Sequence, residues 1–364
     1  MNITYHSFKP YYGYGIAAIG YINLLKKYSN HKLNWMVRDF NDKSNELRSQ
    51  EFDNVPDINF MHITPNYVPN VLIPTTINLL NTVFETNKFP QQWKQYLEKV
   101  DKIAVPCTWN QKVFSSDLNQ KVYLLPHLSQ FGGIEIETRS NHFNIPTDAF
   151  VFLTVSTWEL RKNIESLVHA FCSAFTAKDN VLLVIKTSKN NITKWERNWY
   201  GKKYFESTAT ALGNILKTKN NPPNIKLIAE ILSDEQMKEL YIRCDAYITL
   251  SHGEGWGMGC YEAAWYGKPV IATGFGGYLD FLNEKNSFLL PYDLINYKKN
   301  VWDNNDLLDH EYANPKVDYA IDVMRYVVKN KVASYNKGKD LKKFVQHTFS
   351  DNNIFNYLQE FLFN

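Results

Sequence analysis

The chain has 364 residues, of which 44% are hydrophobic and 21% are charged, so it is long enough for two globular domains with a core in each. Its net charge of +3 is too small to predict a nucleic-acid-binding protein from electrostatics, and no nucleic-acid partner is expected. The four cysteines lack the Cys-x-x-Cys spacing of a zinc or redox site, which favours reduced thiols in a cytoplasmic protein. The sequence shows no signal-peptide pattern and no apolar run of membrane-spanning length, so any membrane contact is expected to be peripheral, on the inner face.

The first half of the chain alternates strand patterns with helical patterns, which predicts a parallel α/β sheet. Strands are predicted at 2–5, 33–38, 58–63, 76–83, 102–106 and 121–126, and a helix at 16–28. After the first strand, Gly13, Gly15 and Ala18 form a G-x-G-x-x-A pattern, and Asp39 ends the second strand. A dinucleotide-dependent oxidoreductase is therefore one alternative. The intervening segment, 7–12, is too long for that fingerprint, whose first glycine comes directly at the strand end.

The second half repeats the alternation, with strands predicted at 150–155, 181–185, 225–229, 246–250 and 269–273. Helices are predicted at 164–175, at about 192–216 within a basic insertion, at 232–241, at 315–325 and at about 341–361. In the helix at 232–241, Ser233 is the expected N-cap and Gln236 takes the capping-box position. Arg161 and Lys162 stand together where a strand meets a helix. Two cations at such a point can neutralise a diphosphate, arginine through bidentate hydrogen bonds and lysine as a point charge. Lys186, at the next strand end, is either a further charge for the same ligand or a solvated lysine.

Residues 251–277 are predicted to form a glycine-rich loop, a short helix that ends at Gly267, and a strand. Glycine lets several backbone N–H groups approach a ligand, and a helix N-terminus adds the positive end of its dipole, so oxygens of a phosphate or sugar can be held near Gly257 and Met258. Glu254 lies before the helix and Glu262 within it, where each can accept hydrogen bonds from vicinal hydroxyls. The alternative interpretation is a tight connection with acidic residues that are favoured near a helix start.

The whole stretch resembles the nucleotide-sugar-binding signature of the GT4 family of retaining glycosyltransferases. That signature reads roughly E-G-F/W-G-x-x-x-x-E-A-x-x-x-G-x-P-V-I-A, and the matching residues are Glu254, Gly255, Trp256, Gly257, Glu262, Ala263, Gly267, Pro269, Val270, Ile271 and Ala272. The resemblance implies an α/β protein with the GT-B fold, in which two Rossmann-like domains face each other across a cleft and a C-terminal helix crosses back to the N-terminal domain. The expected domains are 1–145, on the acceptor side and completed by about 341–364, and 146–340, which binds the nucleotide sugar.

The resemblance also implies the reaction: a sugar moves with retention from a nucleoside-diphosphate sugar of the UDP or GDP type to a glycan, lipid-linked, protein or other hydroxyl acceptor. Neither a metal nor a cofactor is expected. In the family an Arg/Lys pair binds the donor diphosphate and a glutamate orients the sugar, so the catalytic residues implied here are Arg161, Lys162 and Glu254. The donor-binding residues implied are Gly15, Lys186, Ile231, Gly255, Trp256, Gly257, Met258 and Glu262. On the acceptor or sugar side, the implied residues are Gly13, Tyr14 and Glu85.

The sequence departs from the family pattern at one strand end. Glu85 and Thr86 stand where many GT4 enzymes place a histidine near the reacting sugar. His127 lies close to the expected polar linker, 129–147, and we interpret it as structural. A non-catalytic GT-B partner subunit remains an alternative to an active enzyme, as does the oxidoreductase considered above.

Overall fold

The computed structural model describes residues 1–9, 13–38, 55–130, 141–197, 203–297 and 309–364. The chain forms two compact units: unit 1 contains Met1–Gln130 and His347–Asn364, and unit 2 contains Phe131–Gln346. Each unit contains one six-stranded parallel sheet. Two parallel sheets with helices between their strands are the α/β architecture that the sequence predicts.

The strands are β1 (Asn2–Phe8), β2 (Lys32–Arg38), β3 (Ile58–His62), β4 (Ile77–Asn81), β5 (Lys102–Val105), β6 (Val122–Leu124), β7 (Phe150–Val155), β8 (Val181–Lys186), β9 (Asn190–Arg197), β10 (Lys203–Ser207), β11 (Asn224–Ile228), β12 (Ala246–Thr249), β13 (Val270–Thr273), β14 (Phe288–Leu290), β15 (Tyr292–Asn296) and β16 (Glu311–Pro315). The helices are α1 (Gly13–Tyr28), α2 (Lys94–Leu97), α3 (Thr108–Ser115), α4 (Ile164–Ala174), α5 (Thr208–Lys217), α6 (Asp234–Arg243), α7 (Met258–Trp265), α8 (Val317–Lys329), α9 (Lys331–Thr348) and α10 (Asp351–Phe363). Short 3-10 helices lie at Pro65–Asn70, Gln91–Trp93, Leu160–Lys162 and Gly277–Asp280. Among the described helices, none is long and apolar enough to cross a membrane.

In unit 1 the strand order is β2-β1-β3-β4-β5-β6. Met61, Leu80 and Ile103 belong to the core cluster of buried apolar side chains that includes these strands. Phe60 packs instead against Phe361 of the last helix, with ring centroids 5.6 Å apart. This contact confirms the expected return of the C-terminal helix to the N-terminal sheet, which buries apolar surface that the first 130 residues leave uncovered.

In unit 2 the strand order is β11-β8-β7-β12-β13-β14. The strands β7 and β8, FVFLTV and VLLVIK, are almost uninterrupted apolar runs, as expected for parallel strands covered by helices on both faces. The first strand of the unit, β7, lies between β8 and β12. The chain adds β8 and β11 on one side of β7 and then crosses to add β12, β13 and β14 on the other side. Such a switch point opens a crevice beyond the carboxyl ends of the strands, where ligands bind in open α/β sheets.

Local sequence signals explain several boundaries. The helix α6 begins with the predicted capping box, in which the Gln236 N–H donates to Ser233 Oγ at 3.3 Å and the Ser233 N–H donates to Gln236 Oε1 at 2.9 Å. The short helix predicted to end at Gly267 is α7, and Gly267 has φ +71°, the left-handed conformation that glycine adopts after helix ends.

Two predicted elements differ from the structure. The helix α1 begins at Gly13, three residues before the predicted start, so the glycines of the G-x-G-x-x-A pattern lie inside a helix. The helix predicted at about 192–216 was wrong in its first half, since β9 and β10 pair as an antiparallel hairpin and only α5 is helical. Ile192, Thr193 and Trp195, residues that favour strands, stand within three residues of one another in β9 and explain this outcome. Asp39 lies outside the described residues, as does most of the predicted linker.

Candidate active site

The basic pair of unit 2 lies against Glu254. Lys162 Nζ donates to both carboxylate oxygens of Glu254, each at 2.7 Å, and Arg161 Nη1 donates to Glu254 Oε2 at 3.4 Å. Arg161 precedes α4 at the end of β7, and Glu254 follows β12, so the contact spans the switch point of the sheet. The structure therefore brings together the three residues predicted to be catalytic.

A second carboxylate balances the charge of this group. Arg161 Nη2 donates to Glu159 Oε1 at 2.8 Å, so two cations face two anions. Burial would raise the pKa of Glu254, but the charges of Lys162 and Arg161 outweigh burial and lower the pKa below its ordinary value. Glu254 is therefore a carboxylate at neutral pH and can act only as a hydrogen-bond acceptor.

Hydrogen bonds between the two loops fix the geometry of the pair. The carbonyl of Arg161 accepts from the His252 N–H at 2.8 Å and from Ser251 Oγ at 3.2 Å, while Arg161 Nη1 donates to the Gly253 carbonyl at 2.7 Å. Asn163 Nδ2 donates to the Leu250 carbonyl at 3.1 Å. Both strand ends are thus tied together before any ligand arrives, which is the preorganisation that electrostatic catalysis requires.

The loop that follows Glu254 needs glycine at its end. Gly257 has φ +82° and forms the N-cap of α7, and a Cβ atom there would lie 2.6 Å from Tyr278 Cδ1. The carbonyl of Glu254 accepts the Gly277 N–H at 2.7 Å. The left-handed turn at Gly257 starts the helix at Met258 and directs the first N–H groups of α7 toward the carboxyl edge of the sheet.

Two predicted donor-binding side chains in this stretch are buried. The Trp256 ring is 3% exposed and packs against Tyr261 and Phe281, with ring centroids 5.1 and 5.3 Å away. The structure therefore corrects the prediction for the indole, which belongs to the core. Glu262 lies on α7 and is 3% exposed. Burial raises the pKa of the neighbouring Tyr266, and the charge of Glu262 adds to this shift.

The remaining donor-side residues lie beyond the ends of β8 and β11. Lys186 ends β8, and its Nζ donates to the Thr187 carbonyl at 3.0 Å. Burial lowers the pKa of Lys186, with Glu230 opposing the shift. Ile231 follows β11 and is 89% exposed, an unusual exposure for an isoleucine in a loop next to polar residues. Since the strands are parallel, both residues lie on the same edge of the sheet as Glu254.

In unit 1, the two glycines after β1 differ in how closely other atoms approach them. A Cβ atom on Gly15 would lie 2.0 Å from the Lys9 carbonyl oxygen, whereas one on Gly13 would meet nothing within 4 Å. Gly15 therefore permits the first turn of α1 to approach the end of β1, and Gly13 has no such packing role.

Tyr14 and Glu85, predicted for the acceptor or sugar side, lie close together. The Tyr14 hydroxyl donates to the Val83 carbonyl and accepts the Val83 N–H, both at 3.1 Å, and is 3.2 Å from Thr82 Oγ1. Burial raises the pKa of Tyr14, and the nearby charge of Glu85 adds to the shift. The Tyr14 hydroxyl thus fixes the position of Thr82 and Val83 after β4, and Glu85 lies in the same segment.

Sequence reasoning missed two polar residues, Glu159 and His62, whereas His127 was named and interpreted as structural. Glu159 was recognisable only as an acidic residue two positions before Arg161. In unit 1, the His127 Nδ1 lies 2.8 Å from the Tyr21 hydroxyl, and His62 Nδ1 lies 3.1 Å from the Tyr5 hydroxyl. Burial lowers the pKa of His127 to about 3, so this imidazole is neutral at physiological pH. Within the described ranges, no three His, Cys, Asp or Glu residues form a group that could hold a metal ion.

Comparisons with known proteins agree with this architecture. Residues 135–293 match the family model described as glycosyl transferases group 1. No curated protein sequence matches the chain significantly. Solved structures that resemble it include sucrose-phosphate synthase from Thermosynechococcus elongatus, with a TM-score of 0.69 and 14% identity over 99% of this chain and 97% of that chain. HepE from Anabaena, solved with UDP and glucose, has a TM-score of 0.67 and 13% identity over 100% of this chain and 99% of that chain.

A third similar structure is longer than this protein. TarM of S. aureus, solved with UDP, fondaparinux and alpha-GlcNAc-glycerol, has a TM-score of 0.58 and 13% identity over 84% of this chain. The chain spans 55% of the length of TarM. Identities this low show a shared fold, and the match to the family model lies entirely within unit 2, which contains the basic pair and Glu254. The protein has the GT-B fold, and its residues 135–293 match the model of the glycosyl transferases group 1 family.

Proposed function

We propose that the protein is a retaining glycosyltransferase that moves a sugar from a nucleoside-diphosphate sugar to a hydroxyl acceptor. The observation that carries the proposal is the group formed by Arg161, Lys162 and Glu254 at the switch point of unit 2. Two cations and a carboxylate at that crevice match the two halves of such a donor, a diphosphate and a polyhydroxylated ring. HepE and TarM were both solved with UDP, which supports a donor of the UDP type.

Each group has a role in the proposed reaction. As the bond between the anomeric carbon and the diphosphate oxygen breaks, negative charge builds on the diphosphate, and Arg161 and Lys162 stabilise it. Glu254 accepts hydrogen bonds from hydroxyls of the transferred sugar, and Glu262 accepts them from the ribose. The acceptor oxygen bonds to the anomeric carbon on the same face, and its proton passes to the departing phosphate oxygen, so no protein base is needed.

Further details belong to the same proposal. Because the protein itself supplies two cations at the diphosphate, we propose that transfer needs no metal ion and no cofactor. The exposed side chain of Ile231 offers an apolar contact for the nucleobase beyond β11. The acceptor is a glycan, a lipid-linked sugar or a protein hydroxyl, and the enzyme acts in the cytoplasm or peripherally at the inner membrane face.

A thermal-shift panel tests the donor. UDP-, GDP-, ADP- and dTDP-sugars are each added to the protein, and the one that binds the native state should raise its melting temperature, by a stabilisation of about 2.7 kcal/mol at a concentration of about 100 Kd. NAD and NADP serve as the comparison for the oxidoreductase alternative. A shift with a nicotinamide dinucleotide and with no sugar nucleotide would overturn the proposal.

Turnover separates an enzyme from a non-catalytic partner subunit. With the donor identified, release of nucleoside diphosphate is followed with and without EDTA, and the anomeric configuration of the product is read by NMR. We expect slow hydrolysis even without an acceptor, insensitivity to EDTA, and the same anomeric configuration in donor and product. Binding without any turnover would favour the partner-subunit alternative.

A further inference from the structure

A second cavity lies in unit 2, beside the basic pair. It has a volume of about 660 Å³, within the range of about 300–1,000 Å³ typical of small-molecule sites. The first turn of α4 and the loop before it form one wall, and the β15–β16 hairpin forms the other. Glu159 lines this cavity and also binds Arg161, so a single side chain belongs to both places.

The hairpin turns one face toward the cavity. In its antiparallel register Ile295 pairs with Tyr312, and Asp293 pairs with Asn314. Residues directly opposite each other, and residues two apart along a strand, lie on the same face. Ile295, Tyr312 and Asn314 therefore share a face, and all three line the cavity.

His252 fixes this hairpin to the loop of the candidate active site. The Ala313 N–H donates to the His252 carbonyl at 2.9 Å, and His252 Nδ1 donates to the Ala313 carbonyl at 2.6 Å. The His252 and Tyr312 rings also pack with centroids 4.7 Å apart. The hairpin is thus attached to the active-site loop at His252, two residues before Glu254. These contacts fix the position of that wall of the cavity.

Two polar groups of the lining are not used by the protein itself. The side chains of Asn314 and Ser166 make no hydrogen bond with the described part of the chain, although both residues line the cavity. Amide and hydroxyl groups both donate and accept, so they suit hydroxyl-bearing ligands. Two such groups, one on each wall of the cavity, form a site that can bind a polar ligand.

The charge of the lining selects the chemical class. The described residues around the cavity include the carboxylates of Glu159 and Glu165 but neither lysine nor arginine. The described lining therefore offers no cation to a phosphate, so it suits a neutral ligand better than a nucleotide. Tyr297 and Tyr312, whose ring centroids are 5.5 Å apart, add aromatic surface next to the amides. Aromatic surface combined with amide and hydroxyl groups favours a neutral polyhydroxylated ring.

We propose that this cavity binds one residue of a neutral saccharide and is a carbohydrate site additional to the nucleotide-sugar site. The assignment of that saccharide to a glycan acceptor rests on the proposed function, whereas its binding does not. A sugar residue held here, on the loop that carries Arg161 and Lys162, would anchor an acceptor glycan while its terminal residue reacts elsewhere.

Saturation-transfer NMR with three neutral probes, maltotriose, cellotriose and triacetylchitotriose, tests the proposal on the full chain. UDP is present in excess to occupy the donor site. Ser166→Tyr fills the cavity from α4, and Asn314→Ala removes one hydrogen-bonding group from the hairpin. Asn224→Ala, an exposed asparagine of the edge strand β11, is the matched control.

We expect at least one probe to bind the wild type, to lose about tenfold or more of its affinity in Ser166→Tyr and about fivefold in Asn314→Ala, and to bind the control unchanged. The proposal is overturned if none of the probes binds the wild type, or if all four proteins bind equally. The melting-temperature shift with UDP is measured on the same proteins. If UDP does not raise the melting temperature of the wild type, the proposed function is contradicted, and saccharide binding is judged by the NMR result alone.

Discussion

Replacing Lys162 with alanine removes the ammonium group that lies 2.7 Å from both oxygens of Glu254. The side chains of Lys162 and Glu254 are only 17% and 13% exposed, so the pair is more shielded than a surface salt bridge. Breaking a fully buried pair costs about 3–5 kcal/mol, and an exposed pair contributes about 0.2–1 kcal/mol. Because Arg161 still contacts Glu254 in the variant, we expect a loss of about 2 kcal/mol.

The measurement is the melting temperature of the protein. In a unit of about 150–250 residues, about 2 kcal/mol corresponds to a decrease of about 4–8 °C. The same variant should lower kcat for sugar transfer by about 10²–10³-fold, because it removes one donor to the charge that develops on the leaving group. Lys178→Ala, an exposed lysine between α4 and β8, is the control and should change neither quantity.

The pH dependence tests whether charge is the cause. The pKa of Glu254 in the folded protein lies below its ordinary value of 4.5, so the ionised carboxylate stabilises the fold above that pH, and this contribution disappears as the pH falls through the folded-state pKa. The difference in melting temperature between wild type and Lys162→Ala should therefore narrow on acidification from neutral pH. A difference that stays constant with pH, or a transfer rate equal to that of the wild type, would refute the electrostatic reasoning.

Four further substitutions follow from the geometry. Gly15→Ala should destabilise unit 1 by about 1–3 kcal/mol, because its Cβ would overlap the Lys9 carbonyl oxygen, while Gly13→Ala should be tolerated. The measurement is the melting temperature of each variant, and equal values would contradict the prediction. Gly257→Ala should lower stability by about 1–3 kcal/mol and weaken the thermal shift with UDP, since φ is +82° and the Cβ would meet Tyr278; an unchanged shift would separate the turn from donor binding. Tyr14→Phe should cost about 1–2 kcal/mol through the lost bonds to Val83, as measured by thermal melting, and a stability equal to wild type would show that water replaces the hydroxyl.

Local signals in the sequence were sufficient for much of unit 2. Apolar runs predicted β7 and β8, and the spacing of Ser233 and Gln236 predicted the capping box, because each depends on residues that are neighbours in the chain. The positions of Glu254 before α7 and Glu262 within it followed from the same local pattern. These elements are determined by interactions over a few residues, which a single sequence contains in full.

Other features depend on contacts between distant segments. The burial of the Trp256 ring is set by Phe281, 25 positions later, and no local pattern distinguishes a tryptophan that packs inward from one that faces a ligand. The β9–β10 hairpin was mistaken for a helix because charged and aromatic residues alternate there without a clear period. The pairing of Arg161 with Glu159 and Glu254, and the cavity beneath β15 and β16, exist only once the strand order is known.

The ion pairs also define what a donor must do when it binds. Arg161 and Lys162 are positioned before the ligand arrives, yet their charges are balanced by Glu159 and Glu254. A diphosphate adds negative charge to a group that is already neutral. Its binding is favourable if N–H groups at the start of α7 share the phosphate charge, or if Glu254 accepts hydrogen bonds from groups other than Lys162 and Arg161. Sugar hydroxyls are groups that can donate such hydrogen bonds to Glu254. In the proposed reaction, the diphosphate and the sugar therefore favour each other's binding, because the hydroxyls that engage Glu254 release the positive charge of Lys162 for the phosphate.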